Sequence, residues 1–193
     1  MDGSFRIGRI FGIPILIHYT FLLVIPLFAW IIGSQIPLTI EMLGDIYQVP
    51  IDTTLATAGY MPYVLGAIVA LGLFFGVLVH ELAHSLVARA KGIAINSITL
   101  MIFGGVATME EGVPDPKAEL PMALVGPIAS LIFGILCSLL IYAVPSVTTD
   151  PGMAGVLVFT LGYLGVLNII LCVFNLIPAF PMDGGRVLRA WLA

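Results

Sequence analysis

Residues 63–90, YVLGAIVALGLFFGVLVHELAHSLVARA, run without a charged residue as far as His80 and then place His80, Glu81 and His84 within five positions. About 20 apolar residues suffice to cross a hydrocarbon core of ~30 Å. In lipid such a run must be helical, because its backbone N–H and C=O groups can pair only within the segment. Tyr63–Ala90 therefore reads as a membrane helix. Ionisable side chains inside such a helix are costly and rare, so three of them together need a reason.

The rest of the chain has the same character. Its 193 residues are 60% hydrophobic and 9% charged, against about 45–50% and about 25% in soluble domains. This excludes a water-soluble globular domain and a disordered tail, and the net charge of −4 also disfavours a nucleic-acid binder. No Asp, Glu, Lys or Arg occurs between Arg9 and Glu41, Glu119 and Asp150, or Asp150 and Asp183. Further membrane helices are expected at Pro14–Gly33, Leu120–Val144 and Met153–Ile177. The expected fold is an all-α polytopic membrane protein with at least four transmembrane helices. Cys137 and Cys172 lack CxxC spacing and read as core filler.

Basic residues orient the chain. Arg6 and Arg9 precede the first expected helix, Arg89 and Lys91 end the second, Lys117 precedes the third, and Arg186 and Arg189 follow the fourth. With alternating helices all seven fall on one side, which the positive-inside rule makes cytoplasmic, the N-terminus with it.

Gly92–Met109 differs, with a β-favouring run around Ser97–Leu100 and a turn-like Gly104-Gly105. It is expected to form a short hairpin or re-entrant element near the cytoplasmic face. Glu110–Glu119 reads as a solvated acidic connection. The chain is expected to be one membrane domain over 1–193, cut short at its C-terminus, since an apolar helix-like run begins at Gly185 and stops.

Histidines at i and i+4 share a helix face, so His80 and His84 can bind one Zn²⁺. Glu81 is then placed to take a proton from the attacking water and pass it to the leaving amine. His80 lies about 13 Å along the helix from Arg89, which puts the site inside the bilayer toward the cytoplasmic face. Gly72 and Gly76 extend the same stripe, so this face points toward another helix. A catalytic zinc site has three protein ligands, leaving one to find. His18, Asp150, the acidic loop and Asp183 are candidates. Topology removes Asp150, and His18 reads as a hydrogen-bonded packing residue. Asp183 is the best candidate, because Pro178 and Pro181 break the preceding helix and form a turn that can aim a carboxylate back; a helix cap is its alternative role. Asn168 reads as an interhelical hydrogen-bonding residue. The small-residue stripe Gly126, Ser130, Gly134, Ser138 reads as close helix packing, with substrate contact as the alternative.

Together these residues resemble the site-2 protease family of intramembrane metalloproteases. The HExxH and the Asn175-x-x-Pro178-x-x-x-x-Asp183-Gly184 element match its two marks, and Gly126 with Ser130 match a third, looser one. Gly12–His18 and Phe103–Ala107 look like its compact archaeal and bacterial branch. The resemblance implies that His80, His84 and Asp183 ligate one zinc ion and that Glu81 is the base. It also implies that Asn175 contacts substrate or steadies the oxyanion; Gly104, Gly105 and Gly126 are the further candidate substrate contacts. The expected activity is hydrolysis of a peptide bond within or beside a transmembrane segment of a membrane-protein substrate, in a cell membrane. A zinc transporter or metal sensor using the same ligands is the alternative. An unwound substrate could add to a strand edge of Gly92–Ala107. Oligomeric state is not legible.

Overall fold

The computed structural model describes residues 3–102, 104–109 and 116–192. In chain order they form strands β1 (Ser4–Ile10) and β2 (Ile13–His18) and helices α1 (Phe21–Gly33), α2 (Ile36–Tyr47), α3 (Thr54–Thr57) and α4 (Met61–Ala90). Strands β3 (Ile95–Met101) and β4 (Gly104–Met109) follow, then helices α5 (Pro116–Ile141), α6 (Val144–Val147), α7 (Pro151–Asn175) and α8 (Asp183–Leu192). Among the described residues, Met61–Ala90, Glu119–Ile141 and Pro151–Asn175 are long and apolar enough to cross a membrane. The expected second, third and fourth spans correspond to these.

The first does not form as expected. Pro14–Gly33 is divided into β2 and α1, and α1 reaches spanning length only together with α2, from which it is bent by 66°. The division starts at Phe11 and Gly12, whose φ values of 50° and 82° suit a two-residue hairpin turn. Ile13–His18 thereby folds back on β1, and alternation buries Ile13 and Ile15. Pro14 precedes the Ile15–Ile17 ladder with β3, so its missing N–H leaves that ladder intact. Residues 34–62, expected as a connection, contain α2 and α3. Ile36, Ile40 and Leu43 of α2 bury a helical stripe although Glu41 and Asp45 interrupt the apolar run.

The all-α expectation is likewise corrected: the chain is mostly helical but carries a four-stranded sheet in the order β1-β2-β3-β4. The expected hairpin is β3–β4, with Leu100 opposite Gly105, and β3 also pairs in parallel with β2.

The chain divides into two compact units. One comprises Leu23–Leu73 and Phe133–Asn168. Its core is built on Ile36, Ile40, Leu65, Val69, Cys137 and Phe159. Gly72 packs against Leu164, and a Cβ on Gly165 would stand 2.6 Å from Ser138 Oγ and 3.2 Å from the Gly134 carbonyl oxygen. The Gly134–Ser138 end of the small-residue stripe therefore serves close helix packing. Asn168 donates from Nδ2 to the Leu164 carbonyl of its own helix, 2.9 Å away, not between helices as expected. A buried amide in a helix can satisfy its donor on the preceding turn.

The other unit comprises Met1–Leu22, Phe74–Ile132 and Ile169–Ala193. It holds the sheet, the HExxH half of α4, the first part of α5, the end of α7 and α8. The candidate residues His80, Glu81, His84 and Asp183 lie here.

Candidate metal centre

His80 and His84 project from one face of α4, one turn apart, with their Nε2 atoms 3.0 Å from each other. Asp183, the first residue of α8, brings Oδ2 to 3.1 Å from His80 Nε2 and 3.0 Å from His84 Nε2. All three side chains are buried. The approach of Asp183 depends on how α7 stops. After Asn175 the chain turns through Pro178 and Pro181, with Ala179 N–H donating to Ile177 and Met182 N–H to Ala179. A Cβ on Gly184 would collide with the carbonyl oxygens of Leu176 and Ile177, and one on Gly185 would lie 2.8 Å from that of Ala179. The Asp-Gly-Gly segment thus packs on the end of α7 as only glycine can, and the preceding carboxylate faces the histidines.

The second ring nitrogens are also engaged. His84 Nδ1 lies 2.5 Å from the Met122 carbonyl oxygen. A carbonyl only accepts, so Nδ1 carries the proton and the neutral ring presents a lone pair at Nε2. His80 Nδ1 lies 2.9 Å from Ser130 Oγ, which can accept in the same way. Metal-binding histidines are ordinarily oriented through the other ring nitrogen like this. Three acceptor atoms therefore converge within 3.1 Å. Such acceptors repel unless a positive charge lies between them. A tetrahedron with ligand bonds of ~2.0–2.1 Å has edges of about 3.3 Å, close to this triangle. The donor set, two imidazoles and a carboxylate without thiolate, suits zinc. Among the described residues this is the group of three able to hold a metal.

Gly126 of α5 makes room for it. A Cβ there would strike His84 Nε2 and stand 2.8 Å from His80 Nε2. The structure thus places this candidate substrate contact against the imidazoles. Glu81 follows His80 on α4, and its side chain is approached by Gly105 of β4, where a Cβ would meet Glu81 Cγ. Gly104 has φ of 126°, a conformation that favours glycine. Asn175 donates from Nδ2 to Leu171 of its own helix at 2.8 Å. His18 bonds Thr20 and Asp150 receives the Gly152 N–H; neither joins the group of three. Phe103 and residues 110–115 lie outside the described residues.

One expectation fails at the edge of the acidic segment. Glu119 is not solvated: it is 4% exposed, in the first turn of α5, paired with Arg189 and Arg186 of α8. Its burial follows from that partnership. Sequence reading also missed the Met122 carbonyl and the orienting bond of Ser130. A faint signal existed for the ion pair, since Arg186 and Arg189 follow Asp183 at helical spacing.

The model of peptidase family M50 matches residues 68–155 and 146–193. The sll0528 protein of Synechocystis sp. is 36% identical over 190 residues, covering 98% of this chain and 44% of its own. A zinc metalloprotease of Methanocaldococcus jannaschii is 38% identical over 194 residues, covering all of this chain and 47% of its own. The chain thus spans less than half the length of these curated relatives. The solved site-2 protease from Methanocaldococcus jannaschii superposes with a TM-score of 0.61 at 34% identity, over 98% of this chain and 71% of that one.

Proposed function

Because the chain belongs to peptidase family M50, the site-2 protease family of zinc metalloproteases, we propose that it hydrolyses a peptide bond within or beside a transmembrane segment of a membrane-protein substrate, as a step of regulated intramembrane proteolysis. The observation that carries this reading is the convergence of His80 Nε2, His84 Nε2 and Asp183 Oδ2 at 3.0–3.1 Å with Glu81 beside them. These three residues would hold one zinc ion per chain. When bound, zinc supplies a Lewis acid that polarises a carbonyl and makes water a better nucleophile at neutral pH.

The chain's own groups do the rest. Ser130 and the Met122 carbonyl hold the two rings with Nε2 presented. Glu81 takes the proton of the attacking water and delivers it to the leaving amine. Gly105 keeps β4 close to Glu81 without a side chain in the way. Among the described residues β4 pairs only with β3, so its other edge is free to receive an unwound substrate segment as an added strand. Asn175, Gly104, Gly105 and Gly126 are assigned to the substrate side.

The multi-pass character seen in three apolar helices becomes four spans if α1 and α2 together make a broken one. On that count the distribution of basic residues supports a cytoplasmic N-terminus and a site within the cell membrane near its cytoplasmic side. Family membership favours hydrolysis over metal transport. The test is Glu81→Gln in purified protein, with bound zinc and cleavage of a model transmembrane substrate both measured. Retained zinc with lost cleavage is expected; unimpaired cleavage would remove Glu81 from its role.

A further inference from the structure

Among the described residues the buried carboxylates are Asp183 and Glu119. The proposed chemistry uses the first and leaves the second unexplained. Glu119 receives Arg189 as a fork, Nε on Oε2 at 3.2 Å and Nη2 on Oε1, while Arg186 Nε stands 3.8 Å from Oε1. A bidentate guanidinium–carboxylate pair fixes orientation as well as distance. What it fixes is the seam between the start of α5 and α8, which Arg189 reaches from its last turn.

Both sides of that seam carry the metal centre. Three residues beyond Glu119 on α5 is Met122, whose carbonyl sets the His84 ring. Three and six residues before Arg186 and Arg189 on α8 is Asp183, whose Oδ2 meets both Nε2 atoms. We propose that Glu119 is a positioning residue for the metal centre: through Arg189 and Arg186 it locks α8 to α5, and so holds the Asp183 carboxylate in register with the histidines. A plain interhelical ion pair would stabilise the fold without regard to metal. A partly exposed pair of this kind contributes little by itself, yet here the acid is buried in a hydrophobic helix, where an unpaired charge is not tolerated.

The inference rests on the zinc reading, and its test separates the two. Zinc affinity of the purified full chain is measured by chelator competition, with the visible spectrum of the Co²⁺ form recorded, for the wild type, Glu119→Gln, Asp183→Asn and the double variant. Glu119→Gln is expected to weaken zinc binding about 10–100-fold, as loss of an outer-sphere support does, and to alter the Co²⁺ spectrum. That loss should vanish in the Asp183→Asn background, because Glu119 acts through Asp183. Unchanged affinity in Glu119→Gln, or the same fold-loss with and without Asp183, overturns the proposal while leaving the zinc reading intact. A wild type that binds no zinc overturns the zinc reading itself. Should Glu119→Gln fail to fold, Arg189→Gln carries the same comparisons, since that side chain is half in solvent; Arg189→Lys, which keeps the charge but not the fork, should fall between it and the wild type.

Discussion

Adding one methyl group at Gly126 should disable the metal centre while sparing most of the fold. A Cβ there would stand 2.5 Å from His84 Cε1 and 2.8 Å from His80 Nε2, where ordinary contact begins at 3.4 Å. The His84 ring, whose Nε2 comes nearer still, must therefore retreat by more than about 0.9 Å and the His80 ring by about 0.6 Å. Neither can do so freely, because Met122 and Ser130 hold the far side of each ring. Metal sites tolerate departures of about 0.2 Å from ideal ligand distances, several times less than these shifts. Misplacement on this scale is worth on the order of a hundredfold, so Gly126→Ala should weaken zinc binding by about 2.7 kcal/mol. Overpacking adds about 1–3 kcal/mol of destabilisation to the fold. Chelator competition on the purified protein measures the first effect, and thermal unfolding of the metal-free form measures the second. Zinc affinity within about threefold of the wild type, at any stability, would refute the claim that Gly126 clears space for the ligand rings.

Three further substitutions probe the supports separately. Ser130→Ala removes the partner of His80 Nδ1 and should weaken zinc binding about tenfold with little change in melting temperature; unchanged affinity would deny it an orienting role. Gly105→Ala places a methyl group against Glu81 Cγ and should lower the turnover of a model transmembrane substrate at least about tenfold, with zinc content unaltered. Gly184→Ala drives a methyl group into backbone carbonyl oxygens that cannot rotate away. It should cost about 1–3 kcal/mol of stability, read as a lowered melting temperature, with weakened zinc binding alongside.

What was legible from sequence was local. His80 and His84 meet because four residues return to the same helix face, and three long uncharged runs could only be helices in lipid. The HExxH and the Asn-Pro-Asp-Gly element, read together, also pointed to the family. Pro14–His18 reads as the start of a helix because the unbroken apolar run Ile13–Ile17 carries no period that distinguishes strand from helix; its fate is set by Phe11 and Gly12 and by pairing with β3, 83 residues away in the register of Ile17 with Leu100. The second helix stayed hidden because Glu41 and Asp45 break its run, although they sit off its buried stripe. Glu119 reads as a solvated charge because its partner Arg189 lies 70 residues away in sequence and reaches it only from α8. The Met122 carbonyl has no side-chain signature at all. Sequence thus disclosed the ligands on one helix, while most of the groups that orient them depend on tertiary approach.

The most direct test of the central claim is X-ray absorption at the zinc edge of the purified protein. A first shell of nitrogen and oxygen at about 2.0–2.1 Å, with the outer-shell scattering of two imidazoles that fall to one in His84→Ala, is the predicted result. Sulfur at about 2.3 Å, or an imidazole signal unchanged by losing His84, would contradict it.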